Sequence, residues 1–277
     1  MSGATESWPR SLVLVGAGKM GEALLRGWLA GGLAPARVTI IEPRPSPAIV
    51  ALAGERGIAV NPPLAGLAAP EVLFLAIKPQ TLEAAAPDLA PLAGPDTLVI
   101  SILAGKRIAD LLARLPKAHA LARVMPNTPA AVGRGASAAF ASPAASVRQR
   151  QWTQSLMSAV GQFDWLADEK LIDAVTAISG SGPAYVFALV EAMAEAGVKL
   201  GLPADLAMKL ARATVEGAGE LLHREPAVTA AKLRENVTSP GGTTATALAI
   251  LRAPDGYPAL LAKAAVAARD RARELAG

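Results

Sequence analysis

Residues 11–21 read SLVLVGAGKMG: a short apolar run, then glycine at positions 16, 18 and 21. A helical pattern, Lys19–Ala30, opens inside that stretch. The spacing G-x-G-x-x-G between a strand and a helix heads a βαβ unit. The first glycine permits the tight turn, the second lets a pyrophosphate approach the backbone, and the third lets helix and strand pack closely. The helix start adds free N–H groups and the positive end of its dipole. Dinucleotide binding follows, with Val15, Gly16, Ala17, Gly18, Lys19, Met20 and Gly21 at the phosphates. The alternative is a merely tight structural turn.

Outward from this loop the same rhythm continues. Apolar runs at 38–42 (VTIIE), 72–77 (VLFLAI), 97–102 (TLVISI) and 121–125 (LARVM) alternate with helical patterns at 47–56, 81–92 and 106–115. Strands with little internal alternation are buried on both faces, so the pattern predicts a doubly wound, mainly parallel α/β sheet. Two further runs, 137–141 and 162–166, flank a helical 147–160 and extend it. After residue 167 the strand texture stops. Leu171, Ile172, Val175, Ile178, Gly182, Tyr185, Val186, Leu189 and Met193 recur at helical steps, and helices follow at 204–223, 229–236, 243–251 and 258–275. The expected division is 1–167, dinucleotide-binding, and 168–277, all-helical. Glycines and Pro183 within 180–183 predict a kink.

Composition excludes much. Of 277 residues, 52% are hydrophobic and 18% charged, which excludes a disordered chain. The absence of cysteine removes disulfides, thiolate metal sites and cysteine nucleophiles, and two histidines nearly remove a multi-histidine metal site. A net charge of +4 with scattered Lys and Arg suits anionic small molecules better than nucleic acid. The first ten residues lack the apolar core of a signal peptide, and Pro183–Leu200 carries Glu191, Glu195 and Lys199, so no membrane span and a cytoplasmic location are expected.

At the adenosine end, Glu42 follows the second strand about 20 residues after the loop, where a carboxylate accepts from ribose hydroxyls and favours NAD. Arg44 and Ser46 stand beside it, placed to hold a 2′-phosphate. NADPH or NADH therefore remains open.

Four further segments are LAIKPQ (75–80), RVMPNTP (123–129), ISGSGPAY (178–185) and VTSPGGTT (237–244). With the glycine loop, they resemble the pyrroline-5-carboxylate reductases in order and spacing over residues 11–275. The resemblance implies a Rossmann domain followed by a helical dimerisation domain, and NAD(P)H-dependent reduction of the imine of 1-pyrroline-5-carboxylate to L-proline. It implies a homodimer that assembles further. Ala76, Ile77, Lys78, Pro79, Ile102, Leu103, Ala104, Asn127 and Thr128 would approach the cofactor, and Asn61 its adenosine. Lys78 would also lie near the substrate, its plain alternative being a solvated lysine. Thr176 would face the ring nitrogen, the alternative being a bond back to its own helix. Ser239, Gly241, Gly242, Thr243 and Thr244 would cradle the substrate carboxylate, bordered by Asn236. Without the resemblance, a carboxylate cradle and an ordinary Ser-Pro helix cap stand as equals. The chain departs from the family at Glu42-Pro43-Arg44-Pro45, at Pro62-Pro63 and at the bulky Leu103.

The chemistry agrees with an imine. A protonated imine is already an electrophile, so the protein must hold the carboxylate, orient the ring and exclude water. An alcohol substrate needs a base, often histidine, and neither His119 nor His223 is placed for that. The rival β-hydroxyacid dehydrogenases carry G-x-x-x-N-x-x-K in the second domain, a motif this chain lacks. A non-catalytic dinucleotide-binding regulator would lack the cradle residues. The group Arg269, Arg271, Arg273 and Glu274 reads as a solvated face.

Overall fold

The computed structural model describes residues 8–276, side chains to 274. The elements run β1 (Leu12–Val15), α1 (Lys19–Ala30), β2 (Val38–Ile41), α2 (Pro47–Arg56), β3 (Ala59–Val60), β4 (Val72–Leu75), α3 (Leu82–Leu89), β5 (Leu98–Ser101), α4 (Ile108–Arg114), β6 (Ala120–Met125), β7 (Gly135–Ala141), α5 (Val147–Ser158) and β8 (Gly161–Trp165). Then come α6 (Leu171–Val175), a π turn (Thr176–Gly180), α7 (Gly182–Lys199), α8 (Ala204–Arg224), α9 (Ala230–Asn236), α10 (Thr243–Leu251) and α11 (Tyr257–Ala276). The eight strands form one sheet ordered β3-β2-β1-β4-β5-β6-β7-β8. Every pairing is parallel except β6 with β7.

The pleat of the strands builds two cores. Leu12, Leu14, Val72, Phe74, Leu98 and Ile100 face one, while Val13, Val15, Leu73, Leu75 and Val99 face the other. Successive side chains point to opposite faces, and helices cover both, which is why these strands show no polar alternation. Trp28 of α1 packs edge-on against Phe74 at 4.9 Å. Its indole N–H donates to the Leu156 carbonyl at 2.8 Å, so a fully buried polar atom is satisfied. Burial of each ring stabilises the unit by roughly 1.5–3 kcal/mol.

The chain divides into two compact units at Gly180/Ser181, and the first unit takes in the chain again from Ala268. The second unit is Ser181–Ala267. This differs from the expected 167/168 division. The reason is burial: Ile172 is 0% exposed, and Asp173, 7% exposed, meets Arg123 of β6 at 3.6 Å. Arg123 also meets Glu169 at 3.3 Å. On the last helix Arg271, Arg273 and Glu274 are exposed, as a solvated face would be, and Arg273 also reaches Asp173 at 3.6 Å. The kink expected around Gly180–Pro183 takes the form of the π turn, after which α7 restarts with Pro183 in its first turn.

In the second unit α7 and α8 approach closely. A Cβ placed on Gly197 would stand 3.0 Å from that of Ala207. Among its described residues only Ala194, Ala207 and Ala211 are buried hydrophobics. The stretch Leu171–Lys199 is long and apolar enough to cross a bilayer by length and composition, although 191, 195 and 199 are charged.

Candidate functional site

The carboxyl ends of β1, β2 and β4 open on a cleft of about 500 Å³, where doubly wound sheets place ligands. Eight of the expected cofactor residues line it: Val15, Gly16, Gly18, Glu42, Arg44, Ala76, Ile77 and Lys78. The glycine loop has the shape a pyrophosphate requires. Gly16 has φ +94°, and a Cβ there would lie 2.7 Å from Ala76 backbone atoms. On Gly21 it would lie 2.1 Å from the Gly16 carbonyl oxygen, so α1 presses directly on the loop. Gly18 differs, since a Cβ on it meets no protein atom within 4 Å. The middle glycine therefore faces open cleft at the start of α1, which fits a phosphate held by backbone N–H groups. When bound there, a reduced nicotinamide dinucleotide supplies hydride.

Glu42 is held from four sides. Its carboxylate accepts from Ala17 N–H at 2.9 Å and from Arg44 N–H at 3.0 Å. Its own N–H donates to Asn61 Oδ1 at 2.9 Å, and its carbonyl accepts from Asn61 Nδ2 at 2.9 Å. Asn61 adopts φ +52°, a left-handed conformation that asparagine tolerates. Its side chain thus braces the end of β2, where the resemblance implied an adenosine contact. Ser46 caps α2, its Oγ accepting from Ile49 N–H at 3.2 Å.

The structure does not bring the remaining expected cofactor residues to this cleft wall. Ala17 is buried, and Met20 packs on the core. Lys19, Ala104 and Thr128 are exposed. Pro79 starts a short 3-10 turn, and Ile102 packs partly buried on the core. The bulky Leu103 is 1% exposed, its side chain packed inside the second core. Asn127 is 8% exposed and braces its own unit. Its Oδ1 accepts from Ala136 N–H at 2.8 Å, and its Nδ2 donates to the Ser179 carbonyl at 3.1 Å. That second bond pins the π turn.

Thr176 opens the π turn. Its hydroxyl donates to the Ile172 carbonyl at 2.8 Å, so the bond back to its own helix is made. The donor being committed, Oγ1 presents lone pairs to any further partner. π turns inside helices often mark functional positions.

In the second unit, Asn236 ends α9 and is exposed. Ser239-Pro240-Gly241-Gly242 then turns into α10, with Gly241 at φ +68° and the Ser239 carbonyl accepting from Gly242 N–H at 3.1 Å. Gly242 is the N-cap of α10, with no side-chain cap. The Ser-Pro cap, the alternative to a carboxylate cradle, is therefore not formed by the Ser239 hydroxyl, and the first-turn N–H groups with Thr243 and Thr244 lie at a helix start without a side-chain cap.

Reading the sequence missed the cleft wall formed by Leu64 and α3. Thr81, Ala84, Ala85 and Asp88 line it, and their spacing at one helical face was the available signal. Among the described residues no cluster of metal-ligating side chains occurs.

Comparison with known proteins agrees with this architecture. Residues 169–275 match the family model "Pyrroline-5-carboxylate reductase dimerisation", and residues 11–105 match "NADP oxidoreductase coenzyme F420-dependent". The chain is 41% identical to a pyrroline-5-carboxylate reductase of Pseudomonas aeruginosa, covering 98% of each chain. It is 37% identical to the Pisum sativum enzyme of that name, covering 96% of each. Among solved structures, a pyrroline-5-carboxylate reductase from Coxiella burnetii superposes with TM-score 0.89 at 32% identity, covering 97% of this chain and 99% of that one. The Plasmodium falciparum pyrroline carboxylate reductase with NADP bound superposes with TM-score 0.80 at 26% identity, covering 96% and 98%. With relatives this similar matched from end to end, the chain belongs to the pyrroline-5-carboxylate reductase family.

Proposed function

We propose that this protein reduces 1-pyrroline-5-carboxylate to L-proline with NADH or NADPH, the last reaction of proline biosynthesis. The observation that carries the reading is the Gly18 opening in a glycine loop otherwise closed by backbone, in a chain that belongs to this family throughout. Lys78, at the carboxyl end of β4 and exposed to the cleft, supplies positive charge beside the nicotinamide end.

The protein's other tasks are binding and orientation. At the start of α10 the N–H groups, with the hydroxyls of Ser239, Thr243 and Thr244, hold the substrate carboxylate. Gly241 and Gly242 let the anion approach the backbone, and Asn236 borders it. Thr176 Oγ1, its own proton committed to Ile172, presents lone pairs to a hydrogen-bond donor such as a protonated imine. Asn127 keeps that turn in place through Ser179.

The second unit supports a homodimer that assembles further. Phe187, Leu200, Ile250 and Leu260 are 64%, 86%, 72% and 60% exposed, large apolar side chains that a partner subunit would cover. Subunit burial also accounts for the apolar Leu171–Lys199 stretch without a membrane, and a cytoplasmic location goes with that reading.

The test is direct. Purified protein mixed with 1-pyrroline-5-carboxylate should consume the absorbance of NADH or NADPH and yield L-proline. No consumption with either cofactor would overturn the proposal.

A further inference from the structure

From the way Glu42 is held, we infer that the adenosine end of the cleft selects a free ribose 2′-hydroxyl, so that NADH is bound in preference to NADPH. This rests on the dinucleotide reading of the cleft.

The argument begins with hydrogen-bond capacity. An ionised carboxylate accepts at about four lone-pair sites. Two are taken, by Ala17 N–H at 2.9 Å and Arg44 N–H at 3.0 Å. Two remain, matching the two hydroxyls of an adenosine ribose, which donate. A 2′-phosphate has no proton to give at neutral pH beyond a residual fraction, and it carries between one and a half and two negative charges.

Rigidity decides the outcome. A surface glutamate on a free loop would swing away from a phosphate. Glu42 cannot do so without leaving two N–H donors unpaired, one of them in the phosphate loop itself. Its backbone is fixed as well, because Asn61 bonds both the Glu42 N–H and the Glu42 carbonyl at 2.9 Å. Asn61 in turn donates its N–H to the Ile40 carbonyl at 2.8 Å, which ties the bracket to β2. Asp88 brings a second carboxylate to the same cleft.

Arg44 is the countervailing group. Its side chain is exposed, and an exposed cation gains little from an anion through high-dielectric solvent. A fixed, half-buried carboxylate facing a phosphate meets a larger penalty. Pro43 and Pro45 flank Arg44 and lock φ on either side. Its guanidinium then serves as a flat surface for the adenine, a contact that both cofactors share.

The test reads binding rather than turnover. ADP-ribose and 2′-phospho-ADP-ribose are titrated calorimetrically into the wild-type protein, followed by NADH and NADPH. ADP-ribose should bind about 100-fold more tightly than its 2′-phosphate, with NADH and NADPH in the same order. Glu42→Gln should shrink that ratio at least tenfold, chiefly through tighter binding of the phosphorylated ligand. Arg44→Ala should weaken both ligands within threefold of each other. Equal wild-type affinities, or preference for the 2′-phosphate, would overturn the inference, as would an Arg44→Ala loss confined to the phosphorylated ligand. The wild-type comparison needs no variant, so a poorly folding Glu42→Gln does not shelter the idea. Turnover with inverted cofactor preference refutes this inference alone, whereas binding of neither ADP-ribose refutes the dinucleotide cleft with it.

Discussion

Two glycines three residues apart, Gly18 and Gly21, separate ligand approach from packing. Gly18 sits at an ordinary φ of −67° and its missing Cβ faces empty cleft. Gly18→Ala should leave the melting temperature within a degree or two and weaken dinucleotide binding at least tenfold, because the methyl occupies the phosphate's approach. Gly21→Ala should do the reverse first. Its Cβ would fall 2.1 Å from the Gly16 carbonyl oxygen, so α1 must shift, at a cost of about 1–3 kcal/mol visible in a melting curve. Equal thermal effects of the two would contradict the distinction. Thr244→Ala tests the anion cradle. Loss of one charge-assisted donor should lower kcat/KM roughly 10- to 100-fold, or about 1.5–3 kcal/mol, and leave cofactor affinity unmoved. On a pyrroline without the carboxylate, wild type and Thr244→Ala should be equally poor; a tenfold difference there would place Thr244 at the ring or in the fold. The sequence made Gly16, Gly18, Glu42 and Lys78 legible, because strand ends and glycine spacing are local. The bracing role of Asn61 was not legible, for a nonlocal reason: its partner, the backbone of Glu42, is brought to it by pairing of β2 with β3, a two-residue strand too short to announce itself.

At the scale of elements, strands and helices were readable within a residue or two wherever apolar periodicity was strong. The α6–π turn–α7 segment was legible as a helix broken near Gly180–Pro183, but the packing of its start on the first unit was not, because charge pairs between distant positions hold it there. Arg123 is 2% exposed, and its Nε has no partner. Arg123 therefore depends on Glu169 and Asp173 for its burial, and they on it. Arg123→Met should destabilise the protein by about 3–5 kcal/mol, since removing one partner strands a buried charge. Chemical denaturation measures this; a change under 1 kcal/mol would mean that Asp173 finds water or Arg273 instead. A paired replacement, Arg123→Met with Asp173→Leu, should recover much of the loss.

For the whole molecule, the two units contrast in how they manage apolar surface. The first has two dry clusters, one on each face of its sheet. The second leaves large apolar side chains uncovered in a single chain. Light scattering at micromolar concentration should find no active monomer, and dilution should abolish activity together with part of the helical signal. A stable, active monomer would exclude the obligate dimer.

The return of Arg273 to Asp173 also bears on how the chain is made. Translation delivers residues from the amino terminus, and these two positions are separated by 273 − 173 = 100 residues. At about 5–20 residues per second, Asp173 waits roughly 5–20 s for that partner. The nucleotide-binding unit, although encoded first, thus gains this ion pair only after the helices of the second unit have been made.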